Sequence, residues 1–384
     1  MMKMARPLVL ALIACLTLFG CSQQPGSGQG SPPNASSSAA PAKPVKHDSY
    51  RFNTAQGIDI GIQPLTLPEG SVAELISRDR VLFKRLSRSG MQLQLLPFYK
   101  GKDIGDLIAT GELEGGFFAD MPALTAAATG DVVLLAMLKQ GAASIVARRP
   151  MLVKELEGKR VGTAIGSAAH FTLLRALGNE GLTEKDVEIV PMEVSEMARA
   201  LYSGRIDAFC AWEPTPAMAF ASYPDFHLVH KGLNYGFLCL RRDFVTRHPA
   251  ETREIVAAVA RACLWMREPG QLEQVARWTI ESATKFQGEP FSLKPEQMIS
   301  ITRNDLLQVQ HSPRIPETLL REQEVLYQKF LFLKKIGKIP ENVSWARVRG
   351  SIDIFMLRGV MAESDRYDLR WFDYRGNKGT GGSR

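Results

Sequence analysis

One stretch of this chain occurs twice. Ile108-Ala109-Thr110-Gly111-Glu112-Leu113-Glu114 corresponds to Leu201-Tyr202-Ser203-Gly204-Arg205-Ile206-Asp207, and in the same register Asp120 falls opposite Glu213. In each copy a helix runs into glycine, where a left-handed cap costs little. An apolar strand follows and ends in an acid close to a proline. Around the first copy the pattern predicts a strand over 58–63 and a helix through Val72, Leu75, Ile76, Leu82, Phe83 and Leu86. A strand in which Met91, Leu93 and Leu95 alternate with glutamines follows, then a helix over 103–110 and a strand over 115–119. Around the second copy it predicts strand 160–165, helix 168–179, strand 187–191, helix 196–203 and strand 206–211. Two β-α-β-α-β units of this kind make an α/β protein of two doubly wound parallel sheets, one lobe each.

Solutes of such sheets bind beyond the carboxyl ends of the strands, where loops and helix N-termini converge. Those ends are Gln63-Pro64, Asp120-Met121-Pro122, Gly166-Ser167 and Trp212-Glu213-Pro214. If the lobes face one another, the space between them is a cleft. The turn Gly166-Ser167-Ala168-Ala169-His170 opens a helix and so offers free N–H groups and a hydroxyl to an anion. Ser167 is equally well placed as a plain N-cap, and His170 as a structural histidine. Asp120, two residues before Pro122, also suits an N-cap, while Trp212 provides either a flat apolar wall for the cleft or a core side chain.

Lys3 and Arg6 precede an apolar run from Leu8 to Phe19, the pattern of an export signal over 1–20. The run ends Leu18-Phe19-Gly20-Cys21, which resembles the bacterial lipobox and makes Cys21 the expected acylated residue. Positions 21–49 are rich in Ser, Pro, Gly and Ala and read as a tether. The expected domains are then 50–142 for the first part of lobe 1 and 143–237 for lobe 2. From 238 to 384 a mainly helical return completes lobe 1 and covers the sheets, with helices over 250–265, 272–286, 296–309, 317–335 and 344–361, and a glycine-rich end from Arg375.

The net charge of +7 is spread along the chain without basic blocks, which argues against a nucleic-acid partner. Cys210, Cys239 and Cys263 fit neither a zinc site nor a disulfide framework. No H-E-x-x-H, G-x-S-x-G or nucleotide-binding glycine pattern is present, so no metal, cofactor or catalytic residue is expected. Asp120 and Glu213 are the one conceivable acid/base pair.

Leu156-Glu157-Gly158-Lys159-Arg160-Val161-Gly162, Gly166–His170, Gly204-Arg205-Ile206-Asp207-Ala208 and Trp212-Glu213-Pro214 resemble the nitrate, sulfonate and taurine type of ABC-transporter substrate-binding proteins, from about Ile58 to Arg253. The resemblance implies a type II periplasmic-binding-protein fold with chain crossings near Ala142–Ala147 and Tyr235–Leu240. It implies a monomeric lipoprotein on the outer side of the membrane that hands a small solute to ABC permease subunits. In sulfonate binders the loop matching Gly166–His170 helps hold the anion and the segment matching Ala119–Pro122 faces it; together with the strand ends, the expected solute contacts are Gln63, Pro64, Asp120, Met121, Ser167, His170, Trp212, Glu213 and Tyr235. Ala119 stands where the family usually has glycine, and two acids rim the cleft, which favours a solute with an amine over a bare anion. The alternatives are a pyrimidine-precursor binding protein or synthase of the thiamine pathway, within the same superfamily, and a sensor subunit for a membrane partner.

Overall fold

The computed structural model describes residues 50–52 and 56–376. The export signal, Cys21, the whole of the 21–49 tether and positions 377–384 lie outside the described residues. The first unit comprises β1 (Gly57–Ile62), α1 (Glu69–Arg78), α2 (Arg80–Arg88), β2 (Gln92–Pro97), α3 (Gly101–Ala109), β3 (Gly115–Ala119) and α4 (Asp120–Thr129). A 16-residue strand, β4 (Val132–Ala147), leads to the second unit of β5 (Arg160–Thr163), α5 (Ala168–Asn179), β6 (Glu188–Pro191), α6 (Val194–Tyr202), β7 (Ala208–Trp212) and α7 (Thr215–Ser222). A second long strand, β8 (His227–Arg241), returns, and helices follow to the end, beginning with α8 (Arg242–Arg247), α9 (Pro249–Arg267) and α10 (Gln271–Gln287).

The repeat seen in the sequence is repeated in hydrogen bonds. Gly111 and Gly204 both take positive φ, 83° and 74°, as left-handed helix ends. Glu114 then donates its N–H to the Asp59 carbonyl and accepts the Asp59 N–H on its carboxylate at 2.7 Å. Asp207 makes the same two contacts with Arg160, its carboxylate accepting the N–H at 2.9 Å. The acid that closes each repeat therefore staples its strand to the first strand of the same unit.

The two expected sheets are joined into one of eight strands, ordered β2-β1-β3-β8-β4-β7-β5-β6. Read inward from either edge the order is the same, β2-β1-β3-β8 and β6-β5-β7-β4. The first three strands of each half are parallel, and the fourth is the long antiparallel strand arriving from the other half. β4 and β8 pair along nearly their whole lengths, which locates both crossings.

Each half buries apolar clusters in the doubly wound manner. In the first half, Ile58, Val72, Leu82, Val256 and Trp265 form one cluster, and Phe98, Ile104, Phe118, Leu124, Phe330 and Trp345 another. The second half has one cluster around Val161, Leu173 and Leu177 and another around Met197, Leu201 and Phe209.

Some expected elements divide. The helix through Val72 and Leu86 breaks at Asp79, whose carboxylate caps α2 by accepting the N–H groups of Val81 and Leu82 and also pairs with the fully buried Arg261 at 2.8 Å. The helix over 296–309 becomes α11 (Pro295–Thr302) with a π turn over Arg303–Leu307. The 317–335 stretch is a short 3-10 turn and then α12 (Val325–Lys335), and 344–361 is two short helices.

Candidate solute site at the strand crossing

The centre of the molecule is the stretch where β4 and β8 pass between halves. Lys139 pairs with Gly236, Gly141 with Asn234, and Ala143 with Gly232, so these six positions share one face of the ladder. Three polar side chains from elsewhere lie on that face because glycine leaves room for them. A methyl group on Gly236 would overlap the carboxylate of Glu69, at the start of α1. One on Gly141 would overlap the carboxylate of Asp305, in the π turn, and one on Gly232 the side chain of Thr172 in α5. Lys139 is 1% exposed and holds its ammonium 3.8 Å from Glu69 Oε2, within ion-pair range but too far for a hydrogen bond. Burial pushes the carboxyls of Glu69, Asp305 and Glu213 above the ordinary range, and the Lys139 charge pulls each of them part of the way back.

The residues singled out in the sequence are distributed unevenly around this centre. Asp120 is not the N-cap of α4. Ala119 holds that position without a side-chain cap, and Asp120 is the first helical residue. Its carboxylate is wholly buried, and Oδ2 accepts from the Tyr235 N–H at 2.7 Å and from Lys329 Nζ at 2.5 Å. Lys329, on α12 and equally buried, also donates to the Leu233 carbonyl at 2.9 Å. Its ammonium lies 5.6 Å from the Phe171 ring centre and 5.9 Å from that of Tyr235. Asp120 thus faces an internal cation rather than an open rim.

Ser167 caps α5, accepting from the His170 N–H at 3.3 Å while its hydroxyl donates to the Ala164 carbonyl at 2.6 Å. His170 Nδ1 accepts from the Gly166 N–H at 3.1 Å, so the N–H of Gly166 is already engaged. Burial lowers the His170 pKa, and Nε2 is buried without a hydrogen-bond partner. Glu213 accepts from the Ala217 N–H at 3.2 Å across the first turn of α7. Trp212 is half-buried at the end of β7 and packs on the second-half core. Gln63 donates to the Tyr99 carbonyl at 3.2 Å. Pro64 is buried with its carbonyl against Gly70, and Met121 is buried in the first-half core.

Sequence reading missed Glu69, Lys139, Asn234, Asp305 and Lys329. Lys139 carried a signal: it is the one charged residue in Val132–Ala147, a run otherwise apolar or small apart from Gln140 and Ser144. A lysine buried in such a run needs a partner. Glu69 and Asp305 carried none, because only the fold brings them together.

Residues 67–280, more than half of the chain, match the NMT1-like family. The chain belongs to that family. Among its relatives, the taurine-binding periplasmic protein of Escherichia coli is 25% identical over 247 residues, covering 58% of this chain and 73% of that protein. The crystal structure of the periplasmic aliphatic sulphonate binding protein SsuA from Escherichia coli superposes with a TM-score of 0.61 at 19% identity, covering 76% of this chain and 91% of that one. The fold of this NMT1-like chain is therefore that of the type II periplasmic binding proteins, as the sequence motifs implied. The same fold also serves the desulfurization enzyme DszB, with a TM-score of 0.53 at 17% identity, covering 80% of this chain and 99% of that one.

Proposed function

We propose that this chain is an extracytoplasmic solute-binding protein, monomeric and anchored through an acylated Cys21, that captures a small anionic or zwitterionic organic molecule of the sulfonate or taurine kind for an ABC importer. The observation that carries the reading is the crossing of β4 and β8. Two α/β halves meet there over a floor of glycines faced by the carboxylates of Glu69 and Asp305 from the first half and the hydroxyl of Thr172 from the second, an arrangement for gripping a solute and closing on it. The taurine- and sulphonate-binding names of the relatives supply the solute class.

Binding without chemistry fits the side chains better than the enzymatic use of the same fold. Cys210, Cys239 and Cys263 are all buried, and burial pushes each thiol pKa upward, that of Cys263 to about 12, which disfavours a thiolate nucleophile among the described residues. Thermal-shift and small-angle scattering measurements across sulfonates, nitrate, amino acids and pyrimidines test the reading. At least one class should raise the melting temperature and compact the protein, and the absence of both effects throughout would remove the proposal. Replacing Cys21 with Ser should leave folding intact and shift the protein from the membrane to the soluble fraction. A Cys21→Ser protein still on the membrane rules out acylation there.

A further inference from the structure

The oxygen atoms at the crossing lack donors in a pattern that specifies part of the solute. Glu69 Oε2, Asp305 Oδ2, Asn234 Oδ1 and Thr172 Oγ1 are all buried without a hydrogen-bond partner, and all four belong to side chains on or against the same face of the β4–β8 ladder. Glu69, Asn234 and Thr172 are at most 3% exposed. A buried acceptor left unpaired is costly, and several gathered at one place call for an explanation. The charges agree with the oxygens. Burial raises three carboxyls here, those of Glu69, Asp305 and Glu213, and the charge of one buried lysine, Lys139, acts on all three, while its nitrogen lies beyond hydrogen-bond distance of Glu69. The second buried lysine, Lys329, is committed to Asp120.

We infer that this cluster is a cation subsite in which Glu69 and Asp305 receive the ammonium or guanidinium end of the solute, with Asn234 and Thr172 as further acceptors. The inference rests on the solute-binding reading and narrows it to molecules carrying a basic nitrogen. An ammonium brings three donors and a guanidinium five, which answers the deficit of donors and the excess of negative charge together. A bare anion would answer neither. The acids that select the amine are accordingly Glu69 and Asp305, not Asp120, whose charge is already matched.

The test compares 2-aminoethanesulfonate with ethanesulfonate and β-alanine with propionate by calorimetry, using the wild-type protein and the isosteric variants Glu69→Gln and Asp305→Asn. The amine-bearing member of a pair should bind at least tenfold more tightly. Each variant should erase most of that preference while leaving the amine-free member unchanged or improved. Equal binding of both members, or variants that weaken both alike, would overturn the inference. A readout without added solute accompanies it: Asp305→Asn removes one of three crowded carboxylates and should raise the melting temperature of the empty protein, whereas a carboxylate kept only to pair with Lys139 would lower it when lost. Stabilisation by amine-free sulfonates alone would retain the solute-binding reading and discard the cation subsite. No stabilisation by any solute, together with a lower melting temperature for Asp305→Asn, would discard both.

Discussion

Two residues that look alike in sequence, Asp120 and Glu213, end the same strand of the repeat and have different duties. Glu213 reaches along its own helix to the Ala217 N–H, whereas Asp120 turns to the Tyr235 N–H and to Lys329, 209 residues later. Both members of the Asp120–Lys329 pair are fully buried. In such a pair the attraction does little more than offset desolvation, but removing one partner strands the other's charge. Lys329→Met should therefore cost about 3–5 kcal/mol of unfolding free energy. Asp120→Asn in the Lys329→Met background should recover much of that loss, since an amide needs no counter-charge. Urea denaturation of the two single variants and the double gives the coupling. A double variant no more stable than Lys329→Met would mean that the lysine matters as packing between Phe171 and Tyr235 instead of as a cation.

Elements were legible in proportion to how local their causes are. β3 and α5 begin and end where the pattern placed them, because a glycine-capped helix before one and a serine cap at the start of the other are written in neighbouring residues. The break between α1 and α2 was missed: apolar spacing continues across Asp79, which caps α2 locally while Arg261, far along the chain, pairs with its buried carboxylate. β4 was read only at its crossing end, because a 16-residue run that is apolar on both faces has no strand alternation to show. Its burial comes from β8 and β7 on either side and from helices above and below. The site divides the same way. The strand-end rule located Gln63, Asp120, Ser167 and Glu213 correctly in the topology, yet it has no means of assigning a counter-charge. Glu69 and Asp305 meet over Gly236 and Gly141 through tertiary packing alone, so this cluster of four unsatisfied oxygens was beyond pattern reading.

At the scale of the whole molecule, the ladder of β4 and β8 is the only strand pairing common to the two halves among the described residues, and other contacts bridge them at the periphery. Lys100, at the start of α3 in the first half, pairs with Glu193, at the start of α6 in the second, at 2.9 Å. Met218 of α7 packs on the cluster of Leu67, Ala276 and Phe291 that belongs to the first half. Long strands joining two halves permit a hinge, and bridging contacts of this kind favour its closed position. An exposed ion pair contributes only about 0–1 kcal/mol, so breaking the clasp should shift the balance between open and closed without unfolding anything. Glu193→Lys sets two ammonium groups against each other. It should enlarge the solute-free radius of gyration at low salt and weaken solute binding by roughly up to fivefold, the affinity equivalent of that energy. Raising the salt should shrink both effects, because exposed charges are screened over about 10 Å at 0.1 M. Glu196→Lys is the matched control, since Glu196 pairs with Arg205 inside the second half at 3.7 Å. It changes the net charge equally and spans no gap, so its scattering should follow the wild type. If the two charge reversals alter the radius alike, net charge is the cause and the Lys100–Glu193 pair is no clasp.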